Sequence, residues 1–267
     1  MTLSPTRRAA LHRVFAWSGL VIMALAIFCL EFSRTPETPR GSERATAARP
    51  PIVSLVVIDA GHGGQDSGAI HSGVLEKDLT LDVARRVEGL ARVRSFRTML
   101  TRTSDTWISL ADRAAAANRE NDCVFVSIHF DEGSRATATG VQTFYAARTV
   151  SKAGFQFWLP FLKAPAPAAA EFESQKLANF IQPALVARTH ATDRGVREEQ
   201  FFVVANVRHP AVLVEGGFLS NVEEIGKLEK EEYRQELAAA ITEGITRYRD
   251  ATREREQVVA VAVLPPE

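Results

Sequence analysis

The chain has 267 residues, enough for one large domain or two small ones, and at 46% hydrophobic and 24% charged it has the balance of an ordinary globular protein. Its formal net charge is zero and no basic stripe is visible, which argues against nucleic acid as a partner. Two cysteines, Cys29 and Cys123, are too few for a disulfide framework.

Residues 1–13 carry Arg7, Arg8, His12 and Arg13, and residues 14–30 follow without a charge. A basic start and an apolar core read as a signal peptide or membrane anchor over 1–30. The apolar run is at the short edge of a spanning helix, which needs ~20 residues. No small-x-small cleavage site follows it, so an uncleaved inner-membrane anchor is favoured over a cleaved export signal. Arginines before the run put the rest of the chain in the periplasm or another extracytoplasmic space. Thr6-Arg7-Arg8 also fits twin-arginine export. Residues 31–51, with Pro36, Pro39, Pro50 and Pro51 among polar residues, read as a disordered linker. The folded domain is expected over 52–250 and a loose tail over 251–267.

Inside the domain, strand and helix patterns alternate. Ile52–Ile58 is the first strand. Leu79, Val83, Val87 and Leu90 give an amphipathic helix over Glu76–Val93. Phe96–Thr101 is a short strand, and Ser109 caps an alanine-rich helix from Leu110 to Asn118. Cys123–Ile128 and Gly140–Ala146 read as strands, and Phe172–Ala187 as a helix. Gln200–Ala205 and Ala211–Val214 read as strands. Tyr233, Leu237, Ile241, Ile245 and Tyr248 line a final helix. This alternation predicts a single three-layer α/β domain, with a central, mostly parallel twisted sheet flanked by helices. The segment 148–170 stands apart. Its crowded Phe155, Phe157, Trp158, Leu159, Phe161 and Leu162 suggest a packed element or a lid beside the site.

Three metal-capable side chains coincide with element ends. His62 follows the first strand within Gly61-His62-Gly63-Gly64, His129 follows Cys123–Ile128, and Glu76 opens the first helix. Parallel strands bring both histidines to one sheet edge, where open α/β sheets bind ligands. Two imidazoles and a carboxylate form a catalytic zinc set with a position left for water. Taken singly, Glu76 also suits a helix dipole and His129 a satisfied buried histidine. His71, in the same loop as Glu76, is a spare ligand. The strand Ala211–Val214 ends in Glu215, whose carboxylate reaches the same edge and has the chemistry of a general base; a salt-bridged strand-end glutamate is the plainer alternative.

A series of short motifs runs through the domain in order. It comprises Asp59-Ala60-Gly61-His62-Gly63-Gly64-x-Asp66-x-Gly68-Ala69, Glu76-Lys77, Thr101-Arg102-Thr103-x-Asp105, Ser109-Leu110-x-x-Arg113, Ala117-Asn118, Ser127-Ile128-His129, Asp193-Arg194-Gly195-Val196 and Val214-Glu215-x-Gly217-Phe218-Leu219-Ser220-Asn221. The series resembles the zinc-dependent N-acetylmuramoyl-L-alanine amidases, bacterial enzymes that trim cell-wall peptidoglycan. The resemblance implies Zn2+ held by His62, Glu76 and His129, with Glu215 catalytic. It further implies peptidoglycan as substrate and a protein activator that displaces an inserted helix, for which the 148–170 segment is the counterpart. Two positions depart from the family. Asp131 stands where asparagine is usual, which points to an altered substrate contact, and Gly216 replaces a larger residue. A zinc peptidase acting on stem peptides, and a membrane-tethered peptidoglycan-binding protein without catalysis, remain alternatives.

Overall fold

The computed structural model describes residues 53–131, 137–146 and 168–262. The segments read as anchor and linker, and all but the last three residues of 148–170, lie outside the described residues. Among the described residues no helix is long and apolar enough to cross a membrane.

The strand β1 spans Leu55–Ala60, and all six residues are buried. A β-branched run of this kind suits a strand covered on both faces. A short hairpin follows, β2 (Ile70–His71) and β3 (Val74–Leu75). Its turn residues Ser72 and Gly73 both have positive φ, as tight hairpins require. The hairpin delivers the chain directly into α1, Glu76–Val93. Then come β4 (Arg97–Leu100), α2 (Leu110–Asn118), β5 (Cys123–Asp131) and β6 (Val141–Tyr145). After these lie α3 (Ala168–Thr189), β7 (Asp193–Glu198), α4 (Phe202–Ala205), β8 (Ala211–Phe218), α5 (Val222–Leu228) and α6 (Glu231–Ala262).

Six strands form one sheet in the order β4-β1-β5-β8-β6-β7. Every neighbouring pair is parallel except β6 with β8. The pleat sends Val56 and Ile58 to one face and Leu55 and Val57 to the other. The first face packs against Leu79, Val83 and Val87 of α1, Leu177, Ile181 and Leu185 of α3, and Leu237, Ile241 and Ile245 of α6. The second packs against Ala114 and Ala117 of α2 and Val203 and Val204 of α4. Three layers and a mostly parallel sheet are thus as expected.

The β2–β3 hairpin and α5 were not read from the pattern, and β5 and β8 run past the ends expected for them, to Asp131 and Phe218. Three further elements differ from the sequence reading. Gln200–Ala205 is not a strand, because Phe202–Ala205 forms a single helical turn. A short apolar run has no period of its own, and its packing decides: Val203 and Val204 are buried while Phe202 is exposed. The missing edge strand is Asp193–Glu198, whose polar sequence carries no alternation to reveal it. Residues 251–262 are not a loose tail, since they continue α6. That run is rich in Arg, Glu and Ala and meets no Gly or Pro before Pro265. Buried Thr252 bonds back to the Tyr248 carbonyl, and Arg255 reaches Glu173 of α3.

Candidate metal centre

The turn after β1 is built for close approach. Its backbone hydrogen-bonds to the next strand, Gly61 N–H to the Ile128 carbonyl at 3.1 Å. A Cβ at Gly61 would collide with the His129 ring, so only glycine lets the two elements meet there. His62 itself has φ +58°, a left-handed conformation rare outside glycine. Two buried arginines fix it. Arg113 of α2 donates to the His62 carbonyl at 2.6 Å, to the Ala60 carbonyl at 2.6 Å and to Asp59 Oδ1 at 2.8 Å. Arg102 donates to the carbonyls of Ala60, Gly61 and Lys77, tying this turn to the start of α1. Asp59 also accepts from Thr101 and Ser127. Arg113 and Asp59 form a buried ion pair, and removal of one partner from such a pair costs about 3–5 kcal/mol.

Glu76 stands between the two histidines. Its Oε1 lies 3.1 Å from His62 Nε2 and 3.0 Å from His129 Nδ1. It also accepts the N–H of Phe130, and Oε2 accepts the N–H of Ala69. The imidazole rings meet edge to face at 4.9 Å between centroids. His62 Nδ1 is held by Asp66 Oδ1 at 2.9 Å, which leaves Nε2 directed at the centre. Burial lowers the His62 pKa, but hydrogen bonds and charges from Glu76 and Asp66 outweigh it and leave the ring more basic than usual. Burial likewise opposes ionisation of Glu76, and the two imidazoles outweigh it, holding the carboxyl well below the ordinary range.

The metal-capable atoms of His62, Glu76 and His129 all lie within 4.8 Å of one another. Zinc holds N and O ligands at about 2.0–2.2 Å, which spaces them roughly 3.3 Å apart around a tetrahedron. The donor set and its spacing fit that ion. His71, the spare ligand, lies in the β2–β3 hairpin outside this cluster.

Glu215 lies on β8 in register with His129 on the adjacent parallel strand. In-register neighbours of a parallel pair face the same side of the sheet. Its exposure is 7%, and Oε2 has no hydrogen-bond partner among the described residues. Burial pushes the Glu215 pKa well above the usual carboxylate range, and the charges of Glu76 and Asp131 push it further. The Asp131 N–H, turned toward it by a break in the β5–β8 register, offsets this in part. Asp131 itself is exposed at the end of β5. The small residue at 216 has a structural reason: a Cβ there would lie 2.7 Å from the buried Phe130 ring.

The sequence reading named His62, Glu76, His129 and Glu215, and the fold brings all four to one sheet edge. It gave no role to Asp59, Asp66, Arg102 or Arg113. A signal existed, because an aspartate ending an apolar strand and an arginine on the inner face of an alanine-rich helix both need buried partners.

Residues 56–247 match the protein family described as N-acetylmuramoyl-L-alanine amidase. The chain is 34% identical over 213 residues to the N-acetylmuramoyl-L-alanine amidase LytC of Bacillus subtilis, covering 79% of this chain and 39% of that longer protein. Among solved structures, the catalytic domain of CwlV, an N-acetylmuramoyl-L-alanine amidase from Bacillus (Paenibacillus) polymyxa, aligns with a TM-score of 0.63 at 34% identity. That alignment covers 74% of this chain and 98% of CwlV. The CwlD amidase of Clostridioides difficile, solved in complex with the GerS lipoprotein, aligns with a TM-score of 0.63 at 27% identity over 74% of this chain and 99% of CwlD.

Proposed function

This chain belongs to the N-acetylmuramoyl-L-alanine amidase family, and we propose that it hydrolyses the amide between the lactyl group of N-acetylmuramic acid and L-alanine, using Zn2+ held by His62, Glu76 and His129. One observation carries the reading: a carboxylate locked between two imidazoles stands beside a second, poorly solvated carboxyl in register with one of them. When bound, the zinc ion lowers the pKa of a water molecule and polarises the scissile carbonyl.

The protein's own groups supply the rest. Glu215 takes the proton from the attacking water as the new C–O bond forms. A raised pKa suits this role, because a base works best with a pKa near the operating pH. The same carboxyl then gives that proton to the alanine nitrogen as the C–N bond breaks, which returns Glu215 to its starting state. Asp66 orients His62, while Arg113 and Arg102 hold its backbone, so the site needs little rearrangement during the reaction. Asp131, whose charge and N–H act on Glu215, contacts substrate.

The remaining assignments follow from the sequence and from the relatives. The apolar segment over 1–30 exports or anchors the domain outside the cytoplasm, where the substrate is. A protein activator is a further partner, in keeping with a relative that forms a complex with a lipoprotein.

The test is digestion of purified peptidoglycan sacculi, with product masses read with and without chelator. Free lactyl carboxyls on the glycan together with new L-alanine amino termini are expected, and chelator abolishes both. Fragments cut within the stem peptide would identify a peptidase. Binding without release would identify a non-catalytic wall protein.

A further inference from the structure

The strand order lays out the chemistry along one edge of the sheet. The segment after β4 carries Trp107, Ile108 and Leu110, then come His62 after β1, His129 on β5 and Glu215 on β8. Neighbouring strands are about 4.8 Å apart, so the Trp107 segment and Glu215 flank the histidine pair from opposite sides. On the Trp107 side a cavity of about 300 Å3 opens, walled by Trp107, Ile108, Leu110, His62 and His129 among others. Glu215 is not in that wall. Trp107 is 49% exposed and Leu110 53%, whereas most other large apolar side chains among the described residues are buried.

This wall is held rigidly. Arg113 Nε donates to the Ile108 carbonyl at 3.0 Å while the same guanidinium grips the His62 carbonyl. Ser109 caps α2 through the Asp112 N–H at 3.1 Å. Gly64 packs against the Trp107 backbone, where a Cβ would lie 2.7 Å from the Trp107 backbone nitrogen. One arginine therefore fixes both the wall and a residue of the metal centre.

We propose that this cavity seats the N-acetylmuramoyl sugar, with the pyranose ring stacked on the Trp107 indole and the stem peptide lying across the Glu215 flank. The inference rests on the amidase reading and adds a direction to it. Glu215 protonates the alanine nitrogen, so the peptide lies on the β8 side. The acyl carbon is bonded to that nitrogen on one side and to the lactyl carbon on the other, so the sugar continues toward β4. The cavity suits a neutral ring. Its only arginine, Arg113, is 2% exposed and committed to Asp59 and three carbonyls, and Asp66 adds a carboxylate to the wall, which leaves no free cationic side chain for the carboxylates of a stem peptide. An exposed indole is a large, rigid apolar platform for the C–H face of a sugar, and the volume is that of a small-molecule site.

The test compares two substrates of the zinc-loaded protein, an N-acetylmuramoyl tripeptide and the matching D-lactoyl tripeptide without the sugar. In Trp107→Ala the ratio of kcat/KM for muramoyl over lactoyl substrate falls about tenfold. In Trp107→Phe, which keeps an aromatic face, it falls less. A second readout needs no turnover. The Trp107 indole N–H resonance, assigned by its loss in Trp107→Phe, shifts saturably as N-acetylmuramic acid is added to the wild-type protein. Cleavage at the lactyl–alanine bond with an unchanged substrate ratio, or with shifts only at Trp17 or Trp158, overturns the sugar seat and leaves the amidase reading intact. Failure of the wild type to cut that bond overturns the amidase reading itself.

Discussion

Glu76 and Glu215 are both buried glutamates at the same sheet edge, with exposures of 4% and 7%, yet the protein treats them in opposite ways. Glu76 is surrounded by donors: two imidazoles and the N–H groups of Ala69 and Phe130. Its proton is driven off, and it is suited to hold a cation. Glu215 has an oxygen without a partner among the described residues and two anionic neighbours, and it retains its proton more strongly than an ordinary carboxyl. Burial alone therefore does not set the role of a carboxylate; the groups that share its burial do. Two titratable groups whose surroundings push their pKa values apart mark a division of labour between holding and reacting.

The sharpest way to break this comparison is to remove the holding member. Glu76→Ala takes away the acceptor shared by both histidines and strands two buried backbone donors, each worth about 1–3 kcal/mol. Zinc content should fall from one per chain to none, with activity lost and Tm lowered, as metal analysis and calorimetry would show. Retention of zinc by this variant would remove Glu76 from the ligand set.

Next in size is the reacting member. Glu215→Gln should lower kcat by about 10²–10⁴-fold while zinc content stays at one per chain. The pH dependence has a definite sign. The folded-state pKa lies above the ordinary 4.5, so folding disfavours the ionised form and stability falls as pH rises from about that value through the folded pKa. The glutamine variant lacks this loss. Metal-free Glu215→Gln should therefore melt higher than metal-free wild type at neutral pH, and the difference should vanish in acid. In the zinc-loaded wild type the cation beside Glu76 opposes the raised pKa, so kcat/KM should increase with pH through a lower pKa than the one that governs metal-free stability. A glutamine variant that melts lower at neutral pH would show that the ionised carboxylate is well solvated.

The smallest effect sharpens the comparison by testing what supports the holding side. Arg113→Lys keeps the charge beside Asp59 but cannot reach the carbonyls of Ala60, His62 and Ile108 at once. Zinc affinity, measured by competition with a chelator, should weaken about 10–100-fold, with Glu215 chemistry in the loaded enzyme less affected. Equal affinity in the variant would mean that the strained His62 turn holds itself.

Much of this was legible in the amino-acid pattern. Glu76–Val93 and Leu110–Asn118 were readable to the residue, because a cap and a 3.6-residue period are local properties. His62, His129 and Glu215 were readable because each follows a run of apolar residues toward the carboxyl end of a strand, and parallel strands place such ends together. Phe202–Ala205 and Asp193–Glu198 were not, since neither a four-residue apolar run nor a polar edge strand carries a period of its own. The network of Asp59, Arg102 and Arg113 was equally hidden, because the contacts of the two arginines with residues 59–62 join positions 41 to 54 apart.

The linear chain thus determined which side chains are available and at which ends of which elements they stand, because local propensity and hydrophobic period act over a few residues. Tertiary packing alone decided what each one does. The acidity of Glu76, the basicity of Glu215 and the left-handed turn at His62 arise from desolvation, from neighbouring charge and from donors contributed by distant elements. These quantities exist only once the layers have closed around the sheet.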